Sequence, residues 1–243
     1  MNRMQTRAHE LDDVQPKYLR VRAELESVLA DLEEGDAMPS ERVLSERFSV
    51  ARETVRQALQ ELLVEGRIER RGRGTVVSAP KMVQPLSLKS YTEGARQFGR
   101  VPSRIRIDFD DVVADDSVCA GLGLAPGSTV MHLERVLLAD GQRLGLESTF
   151  LPKERFGHFY ETFDPETSLY TAIRAEGATF ASAEERIETA LPSPRQARLL
   201  ETTTAMPMLL LRRRSLDQHG DPVEVVWSLF RGDRIAFQAT LRE

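Results

Sequence analysis

The sequence predicts an α+β protein in two parts: an N-terminal winged helix-turn-helix unit and a larger C-terminal domain dominated by an antiparallel sheet. Three observations carry that reading. Apolar residues recur at helical spacing between Tyr18 and Leu63 and at strand spacing beyond Arg104. A stretch with two prolines and little periodicity, Ser78 to Leu88, lies between the two patterns. The length of 243 residues suffices for two domains that each bury a core, at roughly 100 to 200 residues per domain. The expected division is a loose tail over 1–15, the winged unit over 16–78, a linker over 79–88 and the second domain over 89–243.

Each element follows from local pattern. Tyr18, Val21, Leu25, Val28, Leu29 and Leu32 repeat at helical spacing, which predicts an amphipathic helix over 17–33 ending near Gly35. Met38-Pro39-Ser40 offers a second start with Ser40 as N-cap, and Leu44 and Phe48 share a face of the short helix that follows. Val55, Ala58, Leu59, Leu62 and Leu63 place a third helix, with Gly66 just past its end. Two short β-prone runs around Gly72 and Gly74 then read as a hairpin. Beyond the linker, 104–107, 130–138, 144–151, 185–190, 208–212 and 223–230 are strand-like. Asp140-Gly141 and His219-Gly220-Asp221 sit where hairpin turns would join strands, and 115–122, 167–176 and 194–201 are short helical candidates.

Composition removes several classes. A hydrophobic fraction of 41% with 29% charged residues argues against disordered and fibrous chains. The single cysteine, Cys119, excludes an internal disulfide and a thiolate zinc site, and reads as a buried small hydrophobe. No apolar run reaches about 18 residues and the first residues lack the apolar core of a signal peptide, so the chain reads as soluble and cytosolic, with no membrane partner. The net charge of −5 is a whole-chain average; from Arg42 to Arg73 eight arginines face five glutamates. The basic charge is therefore concentrated on the helix-turn-helix and its wing.

Two short helices joined by a tight turn, the second opening with small polar and basic residues, fit the major groove of B-DNA. Arg52 and Arg56 are four apart on one face, Thr54 and Gln57 add hydrogen-bonding capacity, and the wing carries Arg67, Arg70, Arg71 and Arg73. Solvated surface arginines would give the same spacing. The run Pro39-Ser40-Glu41-Arg42-Val43-Leu44-Ser45-Glu46-Arg47-Phe48, then Ala51-Arg52-Glu53-Thr54-Val55-Arg56-Gln57-Ala58-Leu59, Glu65-Gly66 and the Gly-x-Gly-Thr wing resembles the GntR family of bacterial transcription regulators over 17–78. That resemblance implies that Arg42, Arg52, Thr54, Arg56 and Gly72 lie at the operator, and the basic charge of the wing adds Arg71. Glu53 departs from the Thr or Ser common in the family.

The second domain offers weaker signals: Lys89-Ser90-Tyr91-Thr92-Glu93, Glu134-Arg135 on a strand, Ser168-Leu169-Tyr170 opening a helix, and Glu224 on the last hairpin. Hydroxyls near a helix start with one arginine suit an anion, and carboxylates such as Glu147 and Glu224 suit sugar hydroxyls or an amine. By spacing alone, Ser168 as a plain N-cap, Arg135 as a surface strand residue and Glu147 as a solvated neighbour fit as well. Residues 86–240 resemble the effector domain (UTRA) of the HutC-type subgroup, with its chorismate-lyase-like fold, and most of all its amino-sugar regulators; the shared stretches include Ser90-Tyr91-Thr92-Glu93, Leu146-Glu147-Ser148-Thr149, Thr167-Ser168-Leu169-Tyr170 and Pro222-Val223-Glu224. The resemblance implies Ser90, Tyr91, Thr92, Arg135, Ser168 and Tyr170 around the phosphate of a phosphorylated amino sugar, with Glu147 and Glu224 near the sugar. Leu137 stands where that group has a second arginine, and Phe230 replaces a tyrosine.

Other chemistry finds little support. No nucleophile elbow, Walker A loop or His-Glu-x-x-His is present, the four histidines are scattered, and Gly121 to Gly127 reads as a turn. The sequence thus implies no catalytic residue, cofactor or metal. Three readings of the second domain stay open: a sensor, an enzyme like the fold's namesake, or a domain that only dimerises. The expected whole is a ligand-responsive transcription regulator of repressor type, a homodimer reading a pseudo-palindrome in double-stranded DNA.

Overall fold

The computed structural model describes residues 16–241. It divides into two compact units, one ending at Pro80 and the other beginning at Lys81.

In the first unit, helix α1 (Lys17–Ala30) buries Val21, Leu25, Val28 and Leu29. It ends earlier than the apolar spacing suggests, because the Glu33 N–H turns to the Asp36 carboxylate at 2.8 Å and leaves the helical ladder. Helix α2 (Glu41–Phe48) starts at Ser40, whose hydroxyl accepts from the Val43 N–H, and stops at Ser49 in the left-handed region. Helix α3 (Arg52–Val64) buries Val55, Ala58, Leu59 and Leu62 against α1 and α2, each leucine worth roughly 1.5 to 3 kcal/mol of burial. Strands β1 (Ile68–Arg71) and β2 (Gly74–Val77) form the wing in register Arg71↔Gly74. Gly72 makes its turn at φ +59°, a conformation unfavourable for a side chain with Cβ. The wing is sewn to the chain ahead of α2 by the Met38 N–H, 2.8 Å from the Thr75 carbonyl.

The second unit opens with a correction. Residues 79–88 are not all linker: Met82–Pro85 form strand β3, parallel to β10 (Ile235–Gln238), with Ile235 opposite Met82. Unlike the equally short wing strands, β3 has no glycine turn joining it to a neighbouring strand, and its pairing comes from the far end of the chain. The main sheet has six antiparallel strands in the order β4 (Pro102–Val113), β5 (Thr129–Ala139), β6 (Gln142–Leu151), β9 (Pro222–Arg231), β8 (Met208–Asp217) and β7 (Phe180–Ala190). Asp140 and Gly141, both at positive φ, close the β5–β6 hairpin as their sequence requires.

Helices cover the sheet. Helix α4 (Tyr91–Gln97) starts with a capping box between Ser90 and Glu93. The remaining helices are α5 (Asp116–Leu122), the single turns α6 (Lys153–Phe156) and α7 (Phe159–Thr162), α8 (Leu169–Ala175) and α9 (Pro194–Leu199). Alternation sorts each strand between two faces. Leu137, Leu211 and Phe230 pack with Tyr91 and Met82 on one, while Val136, Leu146 and Leu229 pack with Leu200 on the other. Cys119 is buried among Val118, Leu122 and Val130.

Candidate functional site

Two places in the molecule gather the residues singled out by sequence. On the first unit, Arg52, Arg56 and Thr54 lie on the first two turns of α3, Arg42 on α2, and Arg71 and Gly72 at the wing tip. The arginines are exposed, and three of them are paired: Arg42 with Glu46 at 2.9 Å, Arg56 with Glu53 at 2.9 Å, and Arg71 with Glu69 at 2.8 Å. Arg52 forms no ion pair among the described residues. Sequence reading passed over Glu41, whose carboxylate receives both Arg56 of α3 at 3.1 Å and Arg70 of β1 at 3.5 Å. One acid in the first turn of α2 therefore ties both helices to the wing. Glu53, the departure from the family pattern, pairs with Arg56 and is itself exposed.

The second place is a cavity on one face of the six-stranded sheet, with about 660 Å³ of empty space including its mouth. Strands β5, β6 and β9 deliver Arg135, Glu147 and Glu224 to it, the cap of α4 delivers Ser90 and Tyr91, and the start of α8 delivers Ser168 and Tyr170. Thr92 does not line it directly; its hydroxyl accepts from Arg104 at 2.6 Å and steadies that lining residue. Glu134, next to Arg135, faces the other side of the sheet and pairs with Arg195. Ser90 and Ser168 both serve as N-caps, Ser90 to the Glu93 N–H and Ser168 to that of Thr171.

Bonding inside the cavity is uneven. Arg135 donates to the Glu147 carboxylate at 2.6 Å and to the Thr167 carbonyl at 3.0 Å. The Tyr170 hydroxyl donates to Glu224 at 2.5 Å and accepts from Arg213 at 3.1 Å, and Ser215 donates to the same Glu224 oxygen at 2.9 Å. Among the described residues the other Glu224 oxygen has no partner, nor have the Tyr91 hydroxyl, Arg104 Nε, Arg135 Nε or Gln84 Oε1, all sealed from solvent. Complete burial pushes the Glu224 carboxyl up to about 7. Burial, helped by the nearby Arg135, brings the Arg104 guanidinium down to about 10. The Tyr91 and Tyr170 hydroxyls are both raised, first by burial.

Sequence reading missed Arg104, Arg213, Glu185 and Ser215. The signal was present in part: Arg212-Arg213-Arg214 on a strand must send its middle member to the face opposite the other two. The two departures are also placed. Leu137 is fully buried in the core beneath α4, and the Phe230 ring lines the cavity edge-on to Phe237 at 5.3 Å.

The pattern of two units matches known proteins throughout. The model "Bacterial regulatory proteins, gntR family" matches residues 17–77, and the UTRA domain model matches 97–236. The chain belongs to the GntR family. It is 49% identical to the HTH-type transcriptional repressor PhnF of Mycolicibacterium smegmatis over 93% of this chain and 92% of that one. It is 33% identical to the repressor NagR of Bacillus subtilis over 91% of this chain and 93% of the relative. Among solved structures, that of PhnF from Mycobacterium smegmatis superposes with a TM-score of 0.67, at 49% identity, over 91% of this chain and 99% of its own. This GntR-family chain is thus a DNA-binding transcription regulator with a winged helix-turn-helix and an antiparallel UTRA domain, the fold class its sequence announces. Among the described residues no helix is long and apolar enough to cross a membrane.

Proposed function

We propose that this GntR-family chain is a cytoplasmic repressor that binds a pseudo-palindromic operator as a homodimer and is released by a small anionic metabolite, a phosphorylated amino sugar first among candidates. The observation that carries the reading is the set of buried polar atoms without partners around one cavity, Tyr91 Oη, Arg104 Nε, Arg135 Nε and Glu224 Oε2. Buried donors and acceptors are nearly always satisfied in folded proteins, so orphans that converge on a cavity call for a ligand. Arginines and carboxylates lining one cavity suit a molecule that carries an anionic group together with hydroxyls or an amine. A domain that only dimerised would have no use for such a set, and the two relatives PhnF and NagR, both transcriptional repressors, support the sign of regulation.

In this reading Ser90, Tyr91, Thr92, Arg135, Ser168 and Tyr170 build the anionic end, while Glu147 and Glu224 face the rest of the ligand. Arg42, Arg52, Thr54, Arg56, Arg71 and Gly72 meet the operator. Strand β3 supplies the coupling: it follows directly on the first unit, and its Gln84 and Pro85 line the cavity. A coupling of roughly 1 to 3 kcal/mol changes operator affinity about 5- to 150-fold, and DNA changes ligand affinity by the same factor. The domain acts as a sensor and not an enzyme, so the ligand is returned unchanged.

The experiment is a thermal-shift screen with glucosamine 6-phosphate, N-acetylglucosamine 6-phosphate, inorganic phosphate and the unphosphorylated sugars, followed by binding to DNA selected by the protein from a random pool. A true ligand at about 100 times its Kd adds about 2.7 kcal/mol of stability and weakens DNA binding. Stabilisation by none of these probes sinks the phosphosugar reading; turnover of a probe sinks the sensor.

A further inference from the structure

Three arginines line the cavity, and they differ in what they already hold. Arg213 donates to Glu185 at 2.9 Å, to the Tyr170 hydroxyl at 3.1 Å and to the Ser87 carbonyl at 3.1 Å. Arg135 gives one terminal nitrogen to Glu147 at 2.6 Å and the other to the carbonyls of Thr167 at 3.0 Å and Pro165 at 3.3 Å. Both charges are matched by a carboxylate. Arg104 is only 9% exposed, donates to a single neutral oxygen, Thr92 Oγ1 at 2.6 Å, and lies 5.6 Å from the centre of the Tyr91 ring. It forms no ion pair among the described residues. A guanidinium carries five N–H donors, so Arg104 keeps most of its capacity unused in a place water hardly reaches.

Such a cation is expensive to bury. Removing a charge from water costs several kcal/mol unless a counter-charge and hydrogen bonds replace the hydration. A second cation aggravates the cost: Arg104 sits opposite Leu137 in the β4–β5 register, so Arg135, two residues along β5, is its diagonal neighbour on the same face. Burial and Arg135 act together on the Arg104 guanidinium, which is lowered to about 10. The arrangement is completed by an anion whose oxygens accept the free N–H groups in the guanidinium plane.

We propose that Arg104, rather than Arg135, is the residue that grips the anionic group of the effector, aided by the unpartnered Tyr91 hydroxyl, while Arg135 is a positioning residue that fixes Glu147 and the 165–167 turn. The proposal rests on the cavity being the effector site, as argued above. It places a specificity determinant on β4, a strand that contributes no other residue to the cavity lining.

The test uses the full chain and titration calorimetry with inorganic phosphate and with glucosamine 6-phosphate. R104Q weakens both by on the order of 100-fold, R104K recovers part of the loss because it restores charge without the fork, and the double variant R135Q/E147Q, which removes an ion pair as a unit, weakens inorganic phosphate by only about 5-fold. A ligand-free readout accompanies it: R104Q removes a buried charge that has no direct ion pair and is only partly offset by the nearby Glu147, and so raises the melting temperature of the apo protein. A structural arginine would do the opposite. Phosphate binding by R104Q equal to wild type, a larger loss in R135Q/E147Q than in R104Q, or a fall in the apo melting temperature of R104Q overturns the assignment while wild-type binding leaves the anionic-effector reading standing. Wild type that binds neither probe overturns both.

Discussion

The two units use the same residue, arginine, in opposite settings. On the first, the Arg42, Arg56 and Arg71 side chains are 60%, 54% and 61% exposed and lean on glutamates that are themselves on the surface or beside it. In the cavity of the second, Arg104 and Arg135 are 9% and 3% exposed. Exposed pairs of this kind are worth about 0 to 1 kcal/mol and are screened by salt, so their partners are given up at little cost when a polyanion arrives. Buried charges are held by geometry and feel a change of one partner strongly. A long, repetitive anion is read from a surface that can exchange its ion pairs; a small one is read from a cavity that cannot. The consequence is that substitutions of one residue type should separate cleanly into stability effects in one unit and salt-dependent binding effects in the other.

The sharpest way to break this contrast is Arg135→Gln. It leaves Glu147, whose side chain is 16% exposed, without its cation, and the expected loss is about 3 to 5 kcal/mol of stability in urea unfolding. Adding Glu147→Gln to the same chain should restore most of it, because the pair rather than either member is then removed. An Arg135→Gln protein as stable as wild type would mean that the pair is solvated and the contrast unfounded.

How much of this was legible in the sequence follows the same divide. The first unit was readable almost to the residue, since its helices are local and amphipathic, Ser40 announces a cap, and Gly72 announces a turn. The strands at Val130, Leu144 and Val223 were readable from apolar alternation, and the Asp140-Gly141 turn from its chemistry. Strand β3 and its partner β10 were not, because no glycine turn joins them and their pairing spans the whole second unit. In the cavity, the residues that resemblance pointed to were found on its wall, apart from Thr92, yet Arg104 and Arg213 were missed. Which charged residue of a strand faces inward depends on register and on a bulge between Arg106 and Asp108, neither of which periodicity supplies.

Glu224 gives the next effect in size. Its carboxyl, ordinarily titrating near 4.5, is raised to about 7 by burial, against the opposing hydrogen bonds of Tyr170 and Ser215 and the charge of Arg213. Between those two values the folded protein keeps a proton that the unfolded chain has released. Stability therefore falls as pH rises through about 4.5 to 7, by at most one proton's worth, about 1.4 kcal/mol per pH unit, and the penalty is complete above 7. Glu224→Gln should flatten the profile across that window, measured as urea midpoints at several pH values. Parallel profiles for the two proteins would remove Glu224 from the account and with it the idea that the cavity's acid end is dry.

The smallest effects on stability, and the ones that test the surface half of the comparison, belong to Arg52 and Arg71. Neither alanine variant should change the unfolding free energy from urea titration by more than about 0.5 kcal/mol, since both side chains are exposed. On DNA they should differ. Arg52→Ala removes an arginine without an ion pair at the start of α3, and should cost about 1 to 3 kcal/mol on the selected site while relaxing preference at one base pair. Arg71→Ala at the wing should weaken all sequences alike and lower the salt slope by about one. Its loss should also be the smaller of the two, because on DNA Arg71 has first to leave Glu69, 2.8 Å away, and part of what the phosphate contributes is offset by what the glutamate loses. If Arg71→Ala proved sequence-selective and Arg52→Ala uniform, the wing would be the reading element and α3 the anchor, and the groove assignment would have to be exchanged.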